Sequence, residues 1–133
     1  MTRSFGQEYH TNQVHYLTAD VVWNQGTGVM SVGWLPPGAV VTGGGIAVST
    51  AFAAGGANTI DVGFRNDGAA RAADDDAFGT LIAVNTAGFK VLDEIAAATN
   101  LPHPAGAEVT VRYNGTTPTA GKGTVVVQYA VIR

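Results

Sequence analysis

The run Thr124-Val-Val-Val-Gln-Tyr-Ala-Val-Ile-Arg133 constrains the fold more than any other segment of the chain. Val125, Val127, Tyr129 and Val131 share one face, and Val126, Gln128, Ala130 and Ile132 share the other. Alternation of β-branched and aromatic residues at period two specifies a strand. Both faces are mostly apolar, which places this strand inside a sheet rather than at its margin.

The same pattern recurs upstream. Met30, Val32 and Trp34 alternate with Ser31 and Gly33, until Pro36-Pro37-Gly38 ends the strand. Ile60, Val62 and Phe64 point inward while Asp61 and Arg65 point outward; Val109, Val111 and Tyr113 repeat the inward phase. Residues 13–23 read as a strand interrupted near Thr18-Ala19-Asp20, with a turn at 25–28. Residues 39–42 and 46–52 read as two short strands around Gly43-Gly44-Gly45, and 81–84 and 89–92 as two more. Residues 69–78 read as a helical turn or a long loop, and 93–100 as a short helical turn stopped by Pro102-His103-Pro104. The expected fold is all-β: an antiparallel β-sandwich of jelly-roll type with about eight strands. It occupies residues 13–133 as a single domain, and residues 1–12, which show neither period, form an extended N-terminal arm.

Composition removes several functional classes. With 7 Lys and Arg against 10 Asp and Glu, the net charge is −3, and no basic face exists to neutralise phosphates, so nucleic acid is not an expected partner. Cysteine is absent, which excludes disulfides, thiolate metal sites and a cysteine nucleophile. No apolar run reaches the roughly 18 residues of a membrane helix, and residues 1–10 lack the apolar stretch of a secretory signal. Only 13% of residues are charged, and 18 glycines add to a weakly polar surface of the kind that assembly partners cover.

The chemical constellations are thin. Gly43-Gly44-Gly45 lacks the Gly-Lys-Ser/Thr and the helix of a phosphate loop, and reads as a β-bulge or tight corner. Asp74-Asp75-Asp76, with Asp67 or Asn66, offers oxygen ligands to Ca²⁺, but lacks the spaced pattern of a calcium loop and reads as a solvated loop or cap. His10, His15 and His103 have no metal-ligand spacing, and neither Ser31 nor Ser49 sits in a nucleophile turn near His15 and Asp20. No catalytic residue, metal or cofactor is expected. Trp34 follows the inward phase of Met30 and Val32, whereas Trp23 closes a strand beside a glycine turn and, with Tyr9, Tyr16 and Tyr113, suits a sugar or protein interface. Arg3, Phe5 and Tyr9 in the arm are residue types that anchor interfaces.

Several segments together resemble a family of small tailed-phage head proteins, the jelly-roll decoration or cement proteins. They are residues 34–44 (Trp-Leu-Pro-Pro-Gly-Ala-Val-Val-Thr-Gly-Gly), 59–63, 74–78, 109–113 and 118–129. The resemblance implies a non-enzymatic virion protein, made in the host cytoplasm, on the capsid exterior. There it would clamp neighbouring major capsid subunits as a homodimer or homotrimer with an extended terminal arm. Two alternatives stay open: a carbohydrate-binding sandwich, and a tail or neck component of the phage with the same fold.

Overall fold

The computed structural model describes residues 15–25, 28–68 and 71–132. In chain order the elements are β1 (His15–Val22), a 3-10 turn (Trp23–Gln25), β2 (Val29–Leu35), β3 (Ala39–Ala53), β4 (Thr59–Arg65), β5 (Asp74–Ala83), β6 (Gly88–Val91), β7 (Ala107–Asn114) and β8 (Ala120–Val131). They form two four-stranded sheets of order β1-β8-β3-β6 and β2-β7-β4-β5, with every neighbouring pair antiparallel. This is the eight-stranded double-sheet jelly roll. The C-terminal strand lies inside its sheet, between β1 and β3, as its two apolar faces require.

Period-two alternation fills the space between the sheets. The first sheet contributes Val21, Val41, Ile46, Val48, Val125 and Val127; the second contributes Ile60, Val62, Phe64, Val109, Val111 and Tyr113. Leu35, Phe52, Phe78, Ile82, Val84 and Leu92 add to the core, with Met30 and Val32 packed against it. Trp34 departs from expectation: it is 59% exposed and lies on the outer face beside Glu108. The cause is a bulge, because Ser31 pairs with Thr110 and Gly33 with Val109, which leaves Val32 as an extra residue. One inserted residue reverses the phase beyond it, so Leu35 turns inward in place of Trp34.

The two short strands expected around the glycine triplet are one continuous strand, β3, of 15 residues. Its register shifts between Val41 and Gly43, so the bulge reading of this segment holds. A Cβ at Gly44, whose φ is +122°, would fall 2.1 Å from the Val126 carbonyl oxygen. Only glycine lets the two backbones approach so closely there. β1 runs through Thr18-Ala19-Asp20 without interruption. Residues 93–100 form successive tight turns, closed by Ala97 N–H on Glu94 and Asn100 N–H on Ala97, with no α-helical segment.

Asp74–Phe78 is strand, not a helical turn or loop. It wraps the outer face of β4 so tightly that a Cβ at Gly63 would lie 2.0 Å from the Asp74 carbonyl oxygen. That wrapping also explains Asp61, which faces outward as its phase demands yet is only 3% exposed. Its carboxylate accepts the Leu81 N–H at 2.8 Å and pairs with Arg112 at 2.9 Å. Leu81 itself holds a left-handed φ of +49°, a costly conformation for a side chain with a γ-branch, fixed here by the Asp61 contact.

Candidate interaction surface

The two outer faces differ in chemistry. On the β2-β7-β4-β5 sheet, charged side chains satisfy one another. Arg112 bridges Asp61 and Asp75, and Arg65 donates to Glu108 at 2.6 Å, which also accepts from Asn66 at 3.0 Å. Such a face is already internally paired.

The outer face of the β1-β8-β3-β6 sheet is nearly free of charge. Cross-strand register gives its rows: Tyr16, Gln128 and Gly43; Thr18, Val126, Gly45 and Val91; Asp20, Thr124, Ala47 and Phe89; and Val22, Lys122 and Thr50. Tyr16, Phe89 and Val91 are among the exposed large apolar side chains. Small residues in β3 keep the middle flat, and Phe89 reaches across Gly45, where a Cβ would meet its ring at 2.9 Å. Asp20 accepts from the Thr124 hydroxyl, so the charge nearest the centre of the face is partly spent.

The last row opens into a groove of about 510 Å³ lined by Val22, Trp23, Asn24, Thr50, Thr119, Ala120, Gly121 and Lys122. Trp23, singled out from the sequence, is 43% exposed at its lip. It therefore stands at the end of the flat face rather than apart from it. Arg3, Phe5 and Tyr9 lie outside the described residues. Tyr16, grouped with Trp23 from the sequence, is exposed on this face, whereas Tyr113 is buried in the core. Sequence reasoning missed Phe89 and Val91; the available signal was that the outward phase of these strands carries apolar and small residues where a solvated face would carry charge.

Among the described residues, no group of three or more His, Asp or Glu side chains is placed to hold a metal ion. Within the acid run, Asp76 is pushed above the ordinary carboxylate range, first by its hydrogen bond with Asp74 and then by burial. Asp67 and His103 belong instead to a buried clamp. Arg71 donates to the carbonyls of Thr99 (3.0 Å) and Leu101 (3.1 Å) and lies 2.8 Å from His103 Nδ1. Asp67 accepts the Arg71 N–H at 3.0 Å, and Phe64 stacks edge-on against the imidazole. A guanidinium can only donate, so Nδ1 accepts and the ring proton resides on Nε2. The clamp ties the loop after β4 to the loop before β7.

These environments predict a two-step acid response. Burial, then the Arg71 charge, depresses His103 despite the opposing pull of Asp67. The unfolded chain takes up that proton near pH 6.5 and the folded chain resists it, so stability is full above about pH 6.5 and declines below it. Burial pushes Asp61 up, but hydrogen bonds from Leu81, Asn114 and Arg112 outweigh it and leave the carboxyl below its ordinary range. Glu108 is lowered chiefly by its hydrogen bond from Arg65. Both carboxylates stabilise the fold above about pH 4 and lose that contribution as the folded groups protonate; Asp76, shifted upward, acts in the opposite sense and offsets part of it. Calorimetric melting from pH 8 to pH 3 should show both declines, and His103→Gln should remove the first alone. A first decline that persists in that variant assigns it elsewhere.

No family model matches the chain, and no curated protein matches it. Solved structures do. A chain of the cyanophage Pam1 capsid asymmetric unit is similar with a TM-score of 0.61 at 16% identity, covering 99% of this chain and 91% of that one. A chain of the capsid of Ralstonia phage GP4 gives 0.64 at 20% identity, over 92% and 85%. A chain of the acidic stable capsid of Helicobacter pylori bacteriophage KHP30 gives 0.58 at 19% identity, over 89% and 87%. The jelly roll described above is thus a fold found in three phage capsids.

Proposed function

We propose that this chain is a structural protein of a phage virion that binds the outer surface of the capsid and cements neighbouring major capsid subunits. The observation that carries the proposal is the pairing of a fold found in phage capsids with a flat, charge-poor sheet face. Such a face has the character of a covered surface, with apolar and aromatic anchors in a weakly polar field. No chemistry is assigned to it. Each copy resists separation by touching more than one subunit, so many weak contacts must break together. An exterior position agrees with a net charge of −3, since packaged DNA favours a basic inner face.

Co-expression with the major capsid protein of the same phage, followed by gradient sedimentation, tests the proposal. The chain is expected to travel with assembled shells, and Ala47→Arg with Phe89→Asp should reduce occupancy by roughly tenfold or more while leaving the fold intact. A wild-type protein that stays at the top of the gradient overturns the proposal.

The exposure of Trp23 and Trp34 favours a second reading, a carbohydrate-binding module with the Trp23 groove as its site. Glycan binding abolished by Trp23→Ala, with no shell association, would select it.

A further inference from the structure

Among the described residues, four strands lie at the margins of the two sheets. Three are protected against pairing with another chain: β2 by its bulge, β5 by two register shifts, and β6 by a length of 4 residues. Bulges, irregularity and shortness are the usual defences of a sheet edge, along with lysine and proline. β1 has none of them. It runs for 8 residues, His15–Val22, in unbroken register with β8 and without lysine, arginine or proline.

Which backbone groups face the open edge follows from the hydrogen bonds. The Val22 N–H is donated to Gln25 Oε1 at 2.9 Å, so Val22 turns away from β8. Antiparallel ladders alternate, so Tyr16, Thr18 and Asp20 turn the same way. The far side of the sheet gives the same phase. The Leu92 N–H on the Gly44 carbonyl directs Ile46 toward β6, Ala47 toward β8, and Thr124 toward Ala47 and away from Asp20. The outer edge therefore carries N–H and C=O groups at Tyr16, Thr18 and Asp20 that have no backbone partner among the described residues, and Gln25 closes its end.

We propose that this edge binds β1 of a second copy of the chain, antiparallel, about a two-fold axis at Thr18. In that register Thr18 meets Thr18 of the second copy, and Tyr16 meets Asp20 in both directions. All three outward residues then exchange backbone hydrogen bonds, about six in total. A centre on Asp20 would set two carboxylates directly opposite, which is unfavourable. A centre on Ala19 would set Tyr16 against Val22, whose N–H is already taken. The pairing is isologous and closed, and yields a dimer. It joins two four-stranded sheets into one, so that the two flat outer faces become a single surface. Self-association of this kind stands whether or not the chain binds a capsid.

The chain has no cysteine, so one introduced thiol reports the contact. At a hydrogen-bonded pair the Cα atoms lie about 5.5 Å apart, within disulfide range. Thr18→Cys should form a covalent dimer under mild oxidation, and Ala87→Cys, exposed in the turn before β6, should not. Light scattering on the full chain at about 100 μM should give twice 13.6 kDa, and Thr18→Lys and Thr18→Pro should give the monomer with an unchanged β spectrum. The Thr18→Cys result stands even if those two variants fail to fold. A monomeric wild type, which is the outcome if residues 1–14 of the same chain occupy the edge, overturns the proposal. So does a trimer, or equal cross-linking of both cysteine variants.

Discussion

A Val111→Asp variant is expected to accumulate as insoluble protein, with no cooperative unfolding transition left to measure. Val111 lies at the centre of β7, between Met30 of β2 and Val62 of β4, and is almost fully buried. Its face looks onto the apolar side of the opposite sheet. Arg112, the nearest cation in sequence, is engaged on the outer face with Asp61 and Asp75. An unpaired carboxylate at such a site costs several kcal/mol, as charge or as the protonation needed to escape charge. The valine contacts are lost as well. Set against a total stability of roughly 5–15 kcal/mol for a domain of this kind, that is enough to empty the folded state. Val29→Asp, at an exposed position paired with the adjacent Arg112, should express and melt normally. Soluble yield and circular dichroism read both; a folded Val111→Asp variant would mean that β7 has the opposite phase.

Gly44→Ala should lower stability by at least about 3 kcal/mol, read as a drop in the urea midpoint. Two penalties add there. The φ of +122° disfavours any side chain, and the new Cβ would lie 2.1 Å from the Val126 carbonyl oxygen in the β3–β8 ladder. Relief would require separating the two central strands of the sheet. Gly55 is the internal comparison: a Cβ there meets nothing within 4 Å, so Gly55→Ala should stay within about 0.5 kcal/mol of wild type. Equal effects at the two glycines would count against the close approach at Gly44.

Strand content and most of the core were legible because each depends on local alternation. Ile60, Val62 and Phe64, or Val125 and Val127, need only a period of two to declare their side. Trp34 was misplaced because nothing in Ser31-Val32-Gly33 announces the extra residue that reverses its phase. Asp61 was assigned the right face and the wrong burial, since its cover is a strand that arrives later in the chain. That strand was itself obscured. Three aspartates have little preference for a sheet, and Asp74–Phe78 is held there by Phe78 in the core and Arg112 on the outside. Of the candidate surface, Trp23 was visible as an aromatic beside a turn. The flat face was not, because its rows draw on four strands scattered from Tyr16 to Gln128, and register alone assembles them.

The position of β8 has a kinetic meaning. Both β1 and β3 take their partner from residues 120–131, across about a hundred residues of chain in the case of β1. During synthesis the sheet can close only after those residues have left the ribosome, and until then two long strands wait with open edges. Contacts this distant in sequence make folding slow and leave the waiting strands prone to pair with other chains. Shortening the chain ahead of Thr124 should therefore abolish the fold of the whole nascent protein rather than trim its end, and expression level should depend on the host's capacity to shield unfinished chains.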